Sequence, residues 1–241
     1  MTENLLNKTQ DSEEKFAFHW DTSNSTALGK YLINYEWKFI NRWLPINELP
    51  VRILDVGCGS GRLSKLLLKN KMDVVSMDAN ASALRLLKQH CPQAKTVISD
   101  AHSTPFADQS FDRLLAIQCF EYLDTNRFVR ECARLLADEG ILILQALNRN
   151  NYRRHIRKLA NTVFNRPLWE NEERFTTAEL FDMLVENGFS IKAVTGYYWL
   201  PFNRHSKSHL VNSAAFLEKA LFLNSFYMLS PWVLICAQKR G

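Results

Sequence analysis

The chain has 241 residues, of which 46% are hydrophobic and 23% are charged. This balance is typical of an ordinary soluble globular protein with a sizeable core. The length accommodates one large domain, or one domain with an added cap. The formal net charge of +5 suits an acidic substrate, a membrane surface or nucleic acid, and it selects none of them.

The cysteine spacing and the apolar runs exclude several classes of protein. Five cysteines lie far apart without a C-x-x-C pair, which predicts neither a disulfide framework nor a zinc site. Reduced thiols are the simpler interpretation, and we expect a cytoplasmic location. The first residues are polar and lack the apolar core of a signal peptide. No apolar run is long enough to predict a transmembrane helix.

Residues 1–50 are predicted to form a polar tail followed by a cap helix. Residues 1–15 are polar and charged, which is typical of a mobile tail. Aromatic residues then recur at helical spacing at Tyr31, Tyr35 and Phe39. This stripe indicates packing against the main domain. An aromatic face such as that of Tyr31 can also attract a cationic ligand.

The stretch from Val51 to Arg62 reads V-R-I-L-D-V-G-C-G-S-G-R and predicts a buried strand, a tight glycine turn and a helix. This arrangement opens a doubly wound α/β domain with a nucleotide-type ligand at the turn. The G-x-G-x-G spacing fits neither the dinucleotide fingerprint nor the phosphate loop. Asp55, two residues before Gly57, would repel a pyrophosphate and attract an ammonium group.

Strands and helices alternate up to residue 147. Short apolar runs predict strands at Asp73–Met77, at Lys95–Ser99, from Phe111 and at Ile141–Gln145, and helical spacing predicts helices at 61–69, 80–90 and 124–137. Asn80 and Asp124 are candidate N-caps. The second and third strands end at Asp78 and Asp100. An acidic residue about 20 positions after the glycine turn binds ribose hydroxyls in nucleotide folds.

The C-terminal part begins with a cation-rich stretch, Asn148–Lys158. This stretch indicates either a solvated helix face or a patch for an anionic substrate or a membrane surface. Thr176 and Glu179 form a capping box for a helix that ends at Asn187 and Gly188.

Two further strands are predicted at Phe189–Trp199 and Pro231–Gln238. The insertion between them, residues 200–230, contains an amphipathic helix rich in Leu and Phe. It is a candidate for a lid over the pocket, a dimer surface or a membrane contact, and the sequence leaves these alternatives open.

In this order, the motifs resemble those of the class I S-adenosylmethionine (SAM)-dependent methyltransferases. Their first motif, D-x-G-x-G-x-G, matches Asp55, Gly57, Gly59 and Gly61. The resemblance covers roughly residues 50–147 by motif. It implies an α/β fold with a doubly wound, Rossmann-like, seven-stranded, mostly parallel sheet whose last strand is antiparallel. N-terminal helices and a lid insertion would accompany it.

The resemblance divides the chain into a tail and cap helix, residues 1–50, and a methyltransferase domain, residues 51–241. Within that domain, 148–175 and 200–230 would be lid or substrate segments. Asp138 and Glu139 stand where the family's L-x-P-G-G turn has Pro and Gly.

The resemblance also implies a SAM site at the carboxyl ends of the strands. Asp78 would bind the adenosyl ribose, Asp100 and Ala101 the adenine amino group, and Gln118 would lie near the methionine moiety. The expected cofactor-binding residues are Tyr31, Asp55, Gly57, Cys58, Gly59, Gly61, Asp78, Ala79, Asp100, Ala101 and Gln118. No metal site is expected.

The methyl group of SAM is already activated, so much of the catalysis can be positioning of the acceptor. A general base helps when the acceptor carries a proton, and Glu121 and His102 are the candidates. The triplet Phe120-Glu121-Tyr122 looks most like small-molecule, quinone and lipid methyltransferases, which often read x-E-H. The motifs of DNA-amino, cytosine-C5 and protein-arginine enzymes are missing here.

We therefore expect methyl transfer to oxygen or nitrogen of a small molecule, for which an acidic group would suit the cationic segments. No nucleic-acid partner is expected, and a homodimer is left open. One alternative is an RNA or protein methyltransferase that uses Arg149–Lys158. Another is a scaffold protein with the SAM fold and no catalysis.

Overall fold

The computed structural model describes residues 25–44, 51–164, 175–200, 202, 206, 208 and 210–241. The predicted polar tail lies outside the described residues. So do residues 165–174 of the segment 148–175 and most of the stretch 201–209.

The described residues form seven strands and seven helices. The strands are β1 (Arg52–Val56), β2 (Asp73–Asp78), β3 (Lys95–Ile98), β4 (Phe111–Ala116), β5 (Leu136–Leu147), β6 (Phe189–Tyr197) and β7 (Trp232–Lys239). The helices are α1 (Ala27–Ile40), α2 (Arg62–Lys69), α3 (Ala81–His90), α4 (Thr125–Leu135), α5 (Tyr152–Phe164), α6 (Thr177–Glu186) and α7 (Leu210–Ala220). Short 3-10 helices lie at Asn41–Trp43, Phe120–Tyr122 and Leu223–Ser225.

The seven strands form one sheet in the order β3-β2-β1-β4-β5-β7-β6. The strands from β3 to β5 pair in parallel, and β7 pairs antiparallel with both β5 and β6. The predicted mostly parallel sheet with an antiparallel last strand is confirmed. The strand order reverses between β1 and β4, and open α/β sheets bind their ligands at such a switch point.

Helices cover both faces of the sheet. On one face, α1 and the insertion helix α7 pack in a core cluster with β1, β4, β5 and β7, around side chains such as Leu32, Ile53 and Leu115. On the other face, α4 and α6 bury Phe128 and Leu184 against the same strands. The cap helix α1 is therefore part of the main core.

The helix signals in the sequence lie where they were predicted. Asn80 and Asp124 are N-caps whose side chains accept backbone hydrogen bonds. Thr176 and Glu179 form the predicted capping box. The same helix ends at Asn187, and Gly188 follows in the left-handed region with φ of 85°.

The boundary between α4 and β5 differs from the predicted one. The predicted helix ran to 137 and the strand began at Ile141, whereas α4 ends at Leu135 and β5 begins at Leu136. The register shifts between the pairs Phe111–Leu136 and Arg113–Ile141, so the residues between them bulge out. Within that bulge Glu139 has φ of 62°. The predicted turn is thus a bulge within one long strand.

Candidate cofactor-binding site

A cavity of about 430 Å³ lies at the carboxyl ends of β1, β2 and β4, beside the glycine turn. Nine of the predicted site residues line it: Gly57, Cys58, Gly59, Asp78, Ala79, Asp100, Ala101, His102 and Gln118. These residues come from four separate stretches of sequence. The sheet brings them together because the carboxyl ends of its parallel strands share one edge.

The glycine turn leaves room for a ligand at one position. Gly57 has φ of 62°, and a Cβ atom there would lie 2.5 Å from Cys119 Cβ, so no side chain fits. Gly59 also has a left-handed φ, of 55°, but nothing lies within 4 Å of where its Cβ would be. A bound molecule can therefore approach the backbone closely at Gly59.

Asp78 joins the glycine turn to the end of β2. Its Oδ2 accepts a hydrogen bond from the Gly59 backbone N at 2.7 Å, and its Oδ1 accepts one from Asn80 N at 2.8 Å. Each carboxylate oxygen has a further lone pair available for a donor in the cavity. This geometry fits a ligand with neighbouring hydroxyl groups, such as a ribose.

Asp100 and His102 form a second polar pair on the cavity wall. Asp100 Oδ1 accepts hydrogen bonds from His102 N at 2.9 Å and from His102 Nδ1 at 2.5 Å. These bonds, led by the backbone one, hold the pKa of Asp100 below its usual range. His102 Nε2 accepts a hydrogen bond from Asp124 N at 2.9 Å, which places the ring proton on Nδ1. Both ring nitrogens thus connect the cavity wall to the start of α4.

A buried carboxylate on α1 organises the opposite wall. Glu36 is fully buried and accepts hydrogen bonds from Arg62 Nη1 at 2.5 Å, Gln118 Nε2 at 2.7 Å and the Tyr197 hydroxyl at 2.8 Å. Arg62 and Gln118 both line the cavity. Gln118 adopts a left-handed φ of 61°, a backbone conformation that is uncommon outside glycine and concentrates at functional sites.

Four predicted site residues do not line the cavity. Asp55 is buried beneath the turn, where it accepts a hydrogen bond from Ser64 Oγ at 2.6 Å, and burial raises its pKa to about 6. Gly61 precedes α2 on the same turn. Tyr31 lies on α1 near Tyr35, with ring centroids 6.1 Å apart. Glu121 lies in the 3-10 helix after β4, whereas the following Tyr122 lines the cavity.

The two cysteines in the cavity wall have the properties of small apolar residues. Cys58 and Cys119 are each 8% exposed, and burial raises the pKa of both thiols well above the usual range. Cys119 Sγ lies 3.3 Å from the Val56 carbonyl oxygen. Both thiols therefore stay protonated at neutral pH and are poor nucleophiles.

The sequence analysis missed Glu36 and Arg62. Glu36 shares a helix face with the buried residues Leu32, Phe39 and Ile40, at spacings of four, three and four residues. A glutamate on that apolar face was the available signal, because a buried charge needs a partner. Arg62, the first residue of α2, supplies that partner.

Comparison with known proteins supports a specific family. Residues 54–144 match the family model described as a methyltransferase domain. The chain is 28% identical over 113 residues to the demethylmenaquinone methyltransferase of Thermotoga maritima. The aligned residues make up 46% of this chain and 49% of that protein. It is 27% identical over 162 residues to the ubiquinone biosynthesis O-methyltransferase of Bradyrhizobium diazoefficiens, with 63% of each chain covered.

The chain spans about half the length of the first curated relatives it matches. Solved structures extend the likeness of the fold. A SAM-dependent methyltransferase of Thermotoga maritima aligns with a TM-score of 0.64 at 20% identity, over 94% of this chain and 97% of that one. The cyclase SpnF aligns with a TM-score of 0.60 at 18% identity, over 88% and 82%.

Proposed function

We propose that this chain, whose residues 54–144 match a methyltransferase domain, is a class I SAM-dependent methyltransferase. In this proposal it transfers the methyl group of SAM to oxygen or nitrogen of a small organic molecule. The observation that carries this proposal is the cavity at the switch point of the sheet. There the open side of Gly59 and the Asp78 carboxylate face the same space.

The chain's residues divide the binding of SAM among three regions of the cavity. Asp78 would accept hydrogen bonds from the two ribose hydroxyls while keeping its bonds to the turn. Asp100 and Ala101, which line the cavity, would hold the adenine. Arg62, at the positive N-terminal end of α2, would attract the carboxylate of the methionine moiety. Gln118, fixed by Glu36, borders the same end.

Bound SAM supplies a sulfonium-activated methyl group, so the chain's contribution is mainly positioning. His102 uses both ring nitrogens for hydrogen bonds to Asp100 and Asp124, which favours a structural role over a proton-accepting one. Glu121 stays a candidate base in the 3-10 helix beside the cavity. Tyr122, the last residue of that helix, and the following Leu123 line the cavity and would contact the acceptor.

Three observations support a small, partly apolar acceptor. Ile117, Tyr122 and Leu123 give the cavity apolar surface beyond its polar wall. Two relatives have quinones in their names, one as a demethylmenaquinone methyltransferase and one as a ubiquinone biosynthesis O-methyltransferase, and quinones are small molecules. An acidic group on the acceptor would suit the many cations of the C-terminal half.

An RNA or protein substrate is the second candidate, because the stretch Asn148–Lys158 is rich in cations. The contacts of two of these cations weigh against it. Arg149 Nη2 pairs with both carboxylate oxygens of Glu179, at 2.5 and 2.7 Å. Arg153 donates to the carbonyl oxygens of Tyr198 and Leu200.

Two experiments, carried out one after the other, test the proposal. Thermal unfolding with and without SAM measures binding, and we expect SAM to raise the unfolding temperature. Incubation of cell extract fractions with methyl-labelled SAM then locates the label. Label in organic-soluble small molecules supports the proposal. Label in RNA or protein would replace it with the second candidate, and SAM binding without label would favour a scaffold.

A further inference from the structure

The insertion between β6 and β7 exposes an unusual amount of apolar surface. Among the described residues, eight of the twelve exposed large apolar side chains lie between Leu210 and Leu229. We call them the insertion surface: Leu210, Phe216, Leu217, Leu221, Phe222, Phe226, Met228 and Leu229. Phe216 is 70% exposed and Phe222 is 71% exposed. An apolar concentration of this kind marks an interaction site, whereas single exposed apolar residues need no explanation.

The insertion surface continues onto the cation-rich helix α5. The Tyr152 backbone N donates to Leu229 O at 2.9 Å, which fixes the start of α5 to the end of the insertion. The Asn148 side chain donates to Met228 O at 2.9 Å and to Ser230 O at 3.0 Å. Helix α5 adds one more apolar side chain, Ile156, which is 61% exposed. The cations of α5 therefore border the exposed apolar residues.

The stretches of sequence that form this surface carry almost only positive charge. The sequence contains no Asp or Glu from residue 140 to residue 169, and α5 alone carries Arg153, Arg154, Arg157 and Lys158. From Asn187 to the last residue there is a single acid, Glu218, and it is 3% exposed. In these two stretches of the sequence, the charged residues around the exposed apolar ones are therefore cations, apart from the buried Glu218.

We propose that the insertion surface and α5 bind the surface of an anionic lipid bilayer. Apolar side chains enter the boundary between headgroups and acyl chains, while neighbouring cations meet anionic headgroups. Binding to an anionic bilayer uses both the exposed apolar side chains and the neighbouring cations. A second copy of this chain would bring the same cations against these cations, and that repulsion disfavours a dimer through this face.

The insertion surface also lies at the carboxyl edge of the sheet. Tyr197 at the end of β6 and Leu147 at the end of β5 pair with Trp232 at the start of β7, so the insertion leaves from the carboxyl edge. The cofactor cavity opens at the same edge. The bilayer contact would thus bring the cavity near the membrane surface. This last step rests on the proposed function, whereas the bilayer contact itself does not.

Vesicle co-sedimentation of the whole chain tests the proposal without SAM or a methyl acceptor, so its outcome is separate from that of the methylation assay. We expect binding to vesicles that contain phosphatidylglycerol, little binding to phosphatidylcholine alone, and weaker binding as salt is raised. The test variant combines Phe216→Gln with Phe222→Asn. Asn suits position 222, whose φ is 51°.

We expect this double variant to lose at least about tenfold in vesicle affinity, because two large apolar side chains no longer enter the interface. Arg154→Gln with Lys158→Gln should weaken binding chiefly at low salt. The matched control is Ile98→Thr. Ile98 is 64% exposed and lies on β3, the outermost strand on the side of the sheet away from β6 and β7. This control variant should bind vesicles as the unaltered protein does.

Three results would overturn the proposal. The first is failure of the unaltered protein to bind phosphatidylglycerol vesicles at low salt. The second is equal binding by the double variant and by Ile98→Thr. The third is a stable dimer in sedimentation velocity that the double variant dissociates, which would assign the surface to a second copy of this chain.

Discussion

At the scale of single residues, two carboxylates do most to define the site. Asp78 lies at the end of β2 and holds the glycine turn through the Gly59 backbone. Glu36 lies on the cap helix and holds Arg62 and Gln118 at the cavity wall. The first was expected from its spacing after the glycines. The second is visible only when α1 is packed against the sheet.

Asp78→Ala is expected to weaken binding of S-adenosylhomocysteine, measured by calorimetry. Hydrogen bonds between a carboxylate and ribose hydroxyls contribute roughly 1.5–3 kcal/mol, which corresponds to about one to two orders of magnitude in affinity. Asp73→Ala is the matched control, because Asp73 begins the same strand and forms an exposed pair with Lys95 at 2.6 Å. Unchanged affinity in a folded Asp78→Ala variant would contradict the ribose assignment.

Glu36→Gln is expected to lower the free energy of unfolding by roughly 3–5 kcal/mol, because it leaves Arg62 without its buried partner. Denaturant unfolding measures this change. Tyr197→Phe is the control, since it removes one donor to Glu36 and keeps the ion pair, and it should cost less. If the two variants lose equal stability, the ion pair is not what holds α1 to the cavity wall.

At the scale of secondary-structure elements, α1 and α7 pack against each other on one face of the sheet. Glu218 of α7 is 3% exposed and faces the Tyr31 hydroxyl of α1, the Trp199 backbone and the positive charge of Arg153. Burial raises its pKa to about 7 and raises that of Tyr31 above its usual range. This buried carboxyl group therefore lies at the contact between α1 and α7.

The packing of α7 is expected to weaken as pH rises. Because the folded pKa of Glu218 exceeds the unfolded one, its stabilising contribution is complete below the unfolded value of 4.5 and is lost as pH rises through about 7. The loss should reach about 3.5 kcal/mol, at about 1.4 kcal/mol for each pKa unit. Denaturant unfolding across this pH range measures it.

Glu218→Gln is the variant that tests this effect, since glutamine stays neutral. Its stability relative to the unaltered protein should increase across the same pH range. Glu186→Gln, at an exposed position on α6, should leave the pH dependence unchanged. A parallel pH profile for Glu218→Gln and the unaltered protein would show that this carboxyl group does not govern the packing.

At the scale of the whole molecule, the polar cavity and the apolar insertion surface both lie at the carboxyl edge of the sheet. The described residues contain no helix long and apolar enough to cross a membrane. They also contain no group of three His, Cys, Asp or Glu side chains that could hold a metal ion.

Methyl transfer is expected to need no divalent metal. Asp100 and Gln118 follow the third and fourth strands, and they do not form the cluster of oxygen ligands that magnesium prefers. Dialysis against a chelator followed by the methylation assay measures this dependence, with a mock-dialysed sample as the control. Activity that disappears and returns only on addition of magnesium would contradict this expectation.

The sequence by itself determined the order of the strands along the chain, the glycine turn and most helix caps. These features depend on local physical rules, namely apolar runs, left-handed glycines and side chains that accept backbone hydrogen bonds. The acidic ends of β2 and β3 followed from spacing alone. Nine predicted site residues consequently line one cavity.

The tertiary structure decided the features that depend on partners distant in sequence. Glu36 meets Arg62, Gln118 and Tyr197 only because α1 packs over β1, β4 and β6. The bulge at the start of β5 follows from the register of β5 against β4, which no local pattern encodes. Exposure of the insertion surface depends on which face of α7 meets α1. Burial and register are properties of the packed molecule, and a single sequence specifies them only through its fold.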